Sequence, residues 1–216
     1  MEPLHSKDPT EIGPYRVVAH LGTGGMGRVY LAETGGKTAA IKILSPAGIR
    51  SANMRARFER EIGALRKIQS PFVAPILDSD VEPHELWLAV EYVNGPSLAQ
   101  RVESGERLSE QEWLELLLGS LVALTSVHDL GIIHRDIKPA NILLSDMGPQ
   151  LIDFGIAQSL DETSLTTTQG FAGSPAWASP DVFGEDELTE KTDIFSLGST
   201  LVFALTGQSP WGSSST

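Results

Sequence analysis

Four glycines occur within the ten residues LGTGGMGRVY (21–30), and this segment constrains the fold more than any other stretch of the chain. Glycine loses more backbone freedom on folding than any other residue, so this density indicates a place where bare backbone is needed. The spacing Gly22-x-Gly24-x-x-Gly27 is shared by two unrelated loops that bind nucleotide phosphates. One of them opens a helix, and the other joins two antiparallel strands.

The segments on either side of the glycines decide between these two loops. The runs YRVVAHL (15–21), RVYLAET (28–34) and TAAIKIL (38–44) are rich in β-branched and aromatic residues, which predicts three successive strands. A dinucleotide-binding turn needs a helix directly after its glycines, because the helix N-terminus holds the pyrophosphate. We therefore expect a flap between antiparallel strands, which is either a phosphate-binding loop or an ordinary hairpin.

Residues 51–68 have the apolar periodicity of a helix, with Ser51 as its expected N-cap. Glu61 falls inside the apolar stripe of this helix, where a carboxylate is costly unless a cation meets it. Two cations are candidates, Arg57 one turn earlier and Lys42 on the third predicted strand. The pattern of the helix alone leaves both open.

Composition and charge exclude several classes of protein function. The 216 residues include no cysteine, which excludes disulfides, thiolate catalysis and cysteine-bound zinc. The net charge is −12, and residues 91–216, with 5 Lys+Arg against 18 Asp+Glu, have a net charge of −13. This argues against nucleic acid. From charge alone it equally suits basic peptide partners or a charged face kept for solubility. The polar start lacks an apolar signal core, and the apolar runs are interrupted by polar residues, so we expect a cytoplasmic chain without a membrane segment.

The order of predicted elements indicates two lobes. The predicted strand in ELWLAVEYVNG (85–95) runs into a Gly-Pro break, and helices are predicted at about 110–130 and 193–206. We expect an N-terminal extension over 1–14, a strand-rich lobe over 15–94 and a mainly helical lobe over 95–216.

Two short segments bring titratable side chains together between apolar residues. In IHRDIKPANILL (133–144), charged and polar residues lie between apolar anchors, which indicates a loop held at both ends. In LIDFGIA (151–157), Asp153 stands between an apolar run and a glycine. Either Asp alone is typical of a turn. The two segments taken together are more specific than either one.

Together with the glycine segment, these motifs resemble those of the eukaryotic-type (Hanks-type) protein serine/threonine kinases, and especially their bacterial branch. Residues 22–29 match the glycine loop, and residues 39–42 (AAIK) match the strand that carries the phosphate-binding lysine. Residues 134–141 (HRDIKPAN) match the catalytic loop, and residues 153–155 (DFG) are intact. The resemblance covers about residues 15–211. It implies an α+β, bilobal, protein-kinase-like fold with a small antiparallel-sheet N-lobe plus one helix and a mainly helical C-lobe.

The resemblance also implies roles for individual residues. Lys42 would contact the nucleotide phosphates and be held by Glu61, Asp136 would take the proton of the substrate hydroxyl, and Lys138 would meet the transferred phosphate of a serine or threonine substrate. Asn141 and Asp153 would hold Mg²⁺ (or Mn²⁺). The residues implied in ATP binding are Leu21, Gly22, Gly24, Gly25, Gly27, Val29, Ala40, Lys42, Glu91, Val93, Asn141, Leu143 and Asp153, with Val90 as gatekeeper.

The stretch 153–181 corresponds to the activation segment of this family. Its hydroxyl-rich run includes Thr166 and Thr168, which the family pattern marks as phosphosites, and Arg135 would clamp a phosphate placed there. The bland interpretation is that such a run only keeps a loop soluble.

We predict a kinase that transfers the γ-phosphate of ATP to Ser/Thr hydroxyls of proteins, including its own activation segment. The alternative is a non-catalytic ATP-binding regulator, a pseudokinase or inactive kinase fragment, and a dinucleotide-dependent oxidoreductase is a distant third. Because the sequence ends soon after the 193–206 helix, we also expect the C-lobe to lack its last helices. Leu201, Phe203 and Leu205 would then be uncovered, with self-association as one result.

Overall fold

The computed structural model describes residues 2–24, 27–44, 52–81, 86–155, 175–183 and 188–211. The chain divides into two compact units, Met1–Lys67 with Ala74–Val93 and Ile68–Val73 with Asn94–Thr216. Several predicted features lie outside the described residues: the N-cap Ser51, the loop glycine Gly25, and the phosphosites Thr166 and Thr168.

The first unit is an antiparallel sheet with one helix, as the sequence predicts. Its described strands are β1 (Glu11–Ile12), β2 (Tyr15–Gly24), β3 (Gly27–Thr34), β4 (Lys37–Leu44), β5 (Ile76–Asp80) and β6 (Trp87–Glu91), and its helix is α1 (Ala52–Leu65). The strands are ordered β1-β2-β3-β4-β6-β5, and every neighbouring pair is antiparallel. The strand-glycine-strand order that excludes a dinucleotide-binding turn is therefore confirmed.

Helix α1 buries its apolar stripe and keeps Glu61 half-exposed. Phe58, Ile62 and Leu65 are buried, as the helical periodicity predicts. Lys42, Arg57 and Glu61 each make polar contacts. The pairing of Glu61 with Lys42 or with Arg57 therefore stays a prediction.

The second unit is mainly helical. Its described α-helices and strands are α2 (Leu98–Glu103), α3 (Glu110–His128), the hairpin of β7 (Ile142–Ser145) and β8 (Gly148–Leu151), and α4 (Glu190–Thr206). Two short 3-10 helices, Pro139–Asn141 and Pro180–Phe183, lie between them. Helices α2 and α3 begin with capping boxes in which Ser97 and Ser109 accept backbone N–H bonds. The segment Ile68–Val73 belongs to this unit; the Leu151 N–H donates to the Phe72 carbonyl at 2.8 Å, and Val73 lies in the core of the unit. The α+β class is confirmed.

The prediction that α4 leaves its apolar side chains uncovered is wrong for two of the three residues. Leu201 and Phe203 are buried, and only Leu205 is exposed, at 57%. Both side chains belong to the buried core of the second unit, and Trp113 and Trp177 pack against that core. The Trp177 ring lies 5.2 Å from the ring of Phe203. Among the helices of the described ranges, none is both long and apolar enough to span a bilayer.

Two leucines of the same helix in the second unit allow a test of its core packing. Leu116 and Leu118 both lie in α3, but the first is 1% exposed and the second 60%. We expect Leu116→Ala to lower the free energy of unfolding by about 2–5 kcal/mol, because it leaves a cavity in a packed core. Leu118→Ala should change it by no more than about 0.5 kcal/mol. Urea denaturation followed by circular dichroism measures both, and equal effects would contradict the packing of α3.

Candidate functional site

The loop that begins at His134 is held by one buried carboxylate, that of Asp193 on α4. The backbone N–H of His134 donates to Asp193 Oδ2 at 2.8 Å, and the N–H of Arg135 donates to Oδ1 at 2.9 Å. His128, at the end of α3, places Nε2 at 2.8 Å from Oδ2. Asp193 is 1% exposed, so its charge is stabilised by these donors rather than by water.

Asp193 positions the loop of the candidate site, and no sequence pattern singled it out. It lies in the first turn of α4, where an acidic side chain is ordinarily explained by the positive end of the helix dipole. One sequence signal could have indicated that Asp193 is buried: the rest of α4 is apolar, so the helix packs in a core and its first turn lies beside that core. The partners of Asp193 are 58 to 65 residues earlier in the chain, beyond the reach of local patterns.

Asp136, Lys138 and Asn141 form a compact polar cluster within the loop. Lys138 Nζ donates to Asp136 Oδ2 at 2.7 Å, and Asn141 Nδ2 donates to the same oxygen at 2.8 Å. Asn141 Nδ2 also reaches the Asp136 carbonyl oxygen, at 2.8 Å. The structure therefore brings together three of the predicted site residues, and all three side chains are buried or half-buried.

The segment that carries Asp153 is bonded to this loop through backbone groups. The Gly155 N–H donates to the His134 carbonyl at 2.9 Å, and the Ile152 N–H donates to the Asn141 carbonyl at 3.0 Å. These two bonds flank Asp153 on both sides and fix its position along the loop.

Two side chains of the site stand on strained backbone. Arg135 has φ of 68° and Asp153 has φ of 57°, in the left-handed region that costs a non-glycine residue about 1–3 kcal/mol. Such strain persists only when the surroundings over-determine the conformation. Here the Asp193 bond to the Arg135 N–H and the two backbone bonds around Asp153 supply that constraint.

His134 packs its ring against Phe154, with the ring centroids 4.6 Å apart. The imidazole is fully buried, and this burial lowers its pKa from the ordinary value of 6.5. The carboxylates of Asp193, Asp136 and Asp153 act in the opposite direction but do not outweigh the burial. His134 is therefore a neutral packing element between the two polar segments.

In the first unit, the glycine-rich hairpin consists of β2 and β3, joined between Gly24 and Gly27. Gly22 pairs with Val29, and Gly24 pairs with Gly27. Gly27 has φ of 142°, and a Cβ there would collide with the carbonyl oxygen of Ile43. The hairpin therefore requires glycine at this position.

The other site residues predicted in the first unit lie on neighbouring strands. In β4, Lys42 is opposite Val29 of β3 and Leu88 of β6, and Ala40 is opposite Val90. The remaining members are Leu21 in β2, Glu91 at the end of β6, and the buried Val93 just beyond it.

The donor set of the second unit fits a hard divalent cation. Among the described residues, both hydrogen bonds of the Asn141 side chain use the amide nitrogen, so its amide oxygen can serve as a ligand atom, and Asp153 adds a carboxylate. Oxygen ligands suit Mg²⁺, which is bound by one or two protein groups together with phosphate oxygens and water. In the part of the chain that the structure describes, no cluster of three or more His, Cys, Asp or Glu side chains could hold a metal. Asn141 and Asp153 thus suit a metal that arrives with a phosphate ligand.

Leu143, the remaining predicted ATP contact of this unit, lies in β7 opposite Gln150.

Comparison with known proteins gives the same assignment as the motifs. The family model described as "Protein kinase domain" matches residues 15–216. The chain belongs to the protein kinase family. Members of this family use ATP and a divalent metal and act on proteins.

Curated relatives of this protein kinase are bacterial. The chain is 39% identical over 212 residues to the probable serine/threonine-protein kinase PkwA of Thermomonospora curvata, covering 98% of this chain and 29% of that protein. It is 42% identical over 213 residues to the serine/threonine-protein kinase AfsK of Streptomyces griseus, covering 98% of this chain and 26% of that one. This protein kinase chain therefore spans about a quarter to a third of the length of those relatives. The resemblance to the bacterial branch is confirmed.

A solved structure agrees with the kinase fold. The kinase domain of PknI from Mycobacterium tuberculosis superimposes with a TM-score of 0.75 at 29% sequence identity. The match covers 94% of this chain and 76% of that domain. The protein-kinase-like fold expected from the motifs is confirmed.

The Asp193 carboxylate generates a prediction about the catalytic loop. In Asp193→Asn, one amide oxygen replaces two carboxylate oxygens, so at least one of the three donors loses its acceptor. We expect a loss of about 1–3 kcal/mol of unfolding free energy, the cost of an unsatisfied buried polar group. Amide hydrogen exchange of residues 134–136 should rise with it. Asp146→Asn, at an exposed turn, is the matched control and should change neither quantity.

Burial of His134 generates a prediction about pH. Its folded-state pKa is lowered, so below about pH 6.5 the unfolded chain binds a proton that the folded chain does not. Stability should therefore fall as the pH falls from 7.5 to 5.5, with a contribution from this group of at most about 1.4 kcal/mol per pH unit. His134→Phe should reduce that slope, whereas His5→Gln, at an exposed position, should not. Metal-free urea denaturation at several pH values measures it, and identical slopes would contradict the assignment.

Proposed function

We propose that this chain transfers the γ-phosphate of ATP to serine or threonine hydroxyls of protein substrates. The observation that carries the proposal is the Asp136 carboxylate, held by Lys138 and Asn141 on a loop that Asp193 fixes. Phosphoryl transfer requires positioning and charge neutralisation more than covalent chemistry, and this cluster offers both.

Asp136 is the proposed base. In the described residues, both side-chain bonds to its carboxylate use Oδ2, so Oδ1 is the atom we assign to the proton of the substrate hydroxyl. Lys138 is proposed to meet the phosphate as it is transferred, because its ammonium group lies 2.7 Å from the carboxylate at which the hydroxyl would sit.

Asn141 and Asp153 are the proposed ligands of Mg²⁺ (or Mn²⁺). When bound, the metal neutralises phosphate charge and orients the phosphate oxygens. The chain's own contribution is to hold these two ligands in place, through the backbone bonds that flank Asp153 and the amide bonds of Asn141.

The first unit supplies the proposed contacts to the rest of the nucleotide. We assign Lys42 to the phosphates, with Glu61 as its partner, and the backbone of residues 22–27 to the close approach that phosphates need. The adenine contacts are assigned to Val29, Ala40 and Leu143, with backbone bonds at Glu91 and Val93. ATP supply makes the cytoplasm the proposed site of this activity.

Arg135 supports a proposal about activation. Its Nε is buried and has no hydrogen-bond partner within the described residues. A buried guanidinium donor favours a phosphate acceptor, because it forms charge-assisted bonds. We propose that phosphate on Thr166 or Thr168 binds Arg135 and orders the activation segment.

The test is incubation of the purified chain with labelled ATP and Mg²⁺, alone and with a serine/threonine-containing protein substrate. We expect phosphoserine or phosphothreonine and no phosphotyrosine, with label on residues 164–168. Asp136→Asn should reduce the rate by about 10²–10⁴-fold, because it removes the base. Asp146→Asn should retain the wild-type rate.

Nucleotide binding separates a kinase from a regulator. If the wild type binds ATP but transfers no phosphate, and Asp136→Asn makes no difference, the chain is an ATP-binding regulator and the proposed activity is wrong. Label confined to tyrosine would contradict the role given to Lys138.

A further inference from the structure

The N-terminal segment, residues 2–10, is bonded to the glycine-rich hairpin through Asp8. Tyr30, in β3, donates its hydroxyl hydrogen to Asp8 Oδ1 at 2.8 Å, and Arg28 Nη1 donates to the same oxygen at 3.2 Å. The His5 N–H donates to Oδ2 at 2.8 Å. The Asp8 side chain is only 6% exposed, so this carboxylate depends on its three donors. Those bonds, led by the His5 N–H, also lower its pKa, which keeps it ionised.

A second attachment lies on the other strand of the hairpin. Glu2 and His20 exchange both backbone bonds as an antiparallel bridge, at 2.9 and 3.0 Å. The ring of His20 then hydrogen-bonds to Thr23 Oγ1 at 3.1 Å, and Thr23 stands between two of the loop glycines. Between the two attachments, Leu4 packs against the core of the first unit. The segment is therefore fixed to both strands of the hairpin.

The geometry of β3 places the segment on one defined face of the sheet. Side chains of a strand alternate between faces, so Arg28 and Tyr30 share one face and Val29 points to the other. The His20 ring lies 5.4 Å from the ring of Tyr30, on the same face as Asp8. Val29 is the proposed adenine contact. The N-terminal segment therefore supports the hairpin from the face opposite to the proposed nucleotide contact.

We propose that residues 2–10 are a brace that fixes the glycine-rich hairpin for nucleotide binding, with Asp8 as its positioning residue. The effect on nucleotide affinity rests on the proposed function, whereas the effect on the hairpin does not. A hairpin rich in glycine has a large conformational entropy to lose when it closes over phosphates. A brace that orders its strands beforehand reduces the part of that entropy lost on binding.

The chain offers two conservative variants and a matched control. Tyr30→Phe removes one hydroxyl from a buried ring, and Asp8→Asn keeps the size of the side chain while removing its charge. Glu33→Gln breaks the exposed ion pair between Arg16 and Glu33, at 2.8 Å, which joins the same two strands at the end away from the glycines. This control removes a cross-strand contact without touching the brace.

The first measurement is amide hydrogen exchange of the 216-residue chain without nucleotide. We expect exchange at residues 20–30 to become about two- to tenfold faster in both variants, the change produced by losing one hydrogen bond. Amides of α3 should be unaffected, which separates local loosening from a global loss of stability. Unchanged exchange at residues 20–30, or an equal rise throughout the chain, would overturn the brace.

The second measurement is the dissociation constant of a non-hydrolysable ATP analogue with Mg²⁺. We expect it to rise about two- to tenfold in Asp8→Asn and Tyr30→Phe, with KM for the protein substrate unchanged and Glu33→Gln like the wild type. If the variants loosen the hairpin but bind the analogue as the wild type does, the link to nucleotide binding is wrong. A wild type that binds no analogue refutes the proposed function instead, and exchange at residues 20–30 still decides the brace.

Discussion

The arrangement of the second unit depends on one carboxylate that accepts three hydrogen bonds. Burying the Asp193 charge is costly, and the cost is offset only because donors from His128, His134 and Arg135 converge on it. In return, the carboxylate fixes two consecutive backbone N–H groups directly before Asp136. The loop, whose only regular element in the described residues is one 3-10 turn at Pro139–Asn141, thereby acquires a defined course.

The loop in turn holds the segment that carries Asp153, through backbone hydrogen bonds. The His134 carbonyl accepts from Gly155, and the Asn141 carbonyl accepts from Ile152, so the proposed base and the proposed metal ligand Asp153 are parts of one bonded assembly. The left-handed backbone at Asp153, and at Arg135 before the base, is tolerable for the same reason. Rigid supports of this kind suit the role proposed for these side chains, because small displacements are costly in catalysis.

The sequence predicted most of the fold and singled out the residues that form the polar cluster of the second unit, but not what holds that cluster in place. The alternation in β2–β4 and the helical periodicity of α1 and α3 are local, so each element could be recognised from its own residues. The motifs likewise identified Asp136, Lys138 and Asn141. Asp193 could not be recognised, because its donors are tens of residues away and its position has an ordinary explanation in the helix dipole. The burial of Leu201 and Phe203 could not be predicted, because the core that covers them is built from distant segments, including Trp113 and Trp177.

The two units solve a common problem in the same physical way. Asp8 in the first unit and Asp193 in the second are both nearly inaccessible to solvent. Asp193 accepts three donors from 58 to 65 residues away, whereas Asp8 accepts one from the neighbouring His5 and two from strand β3. A carboxylate suits this task because its two oxygens accept several charge-assisted bonds in different directions, which an amide or a hydroxyl cannot match. Each binds an irregular segment of the candidate site, a glycine-rich hairpin in one unit and a strained loop in the other. Such segments lack the regular hydrogen bonding of helices and sheets. In each unit a buried carboxylate, Asp8 or Asp193, supplies part of the missing stability.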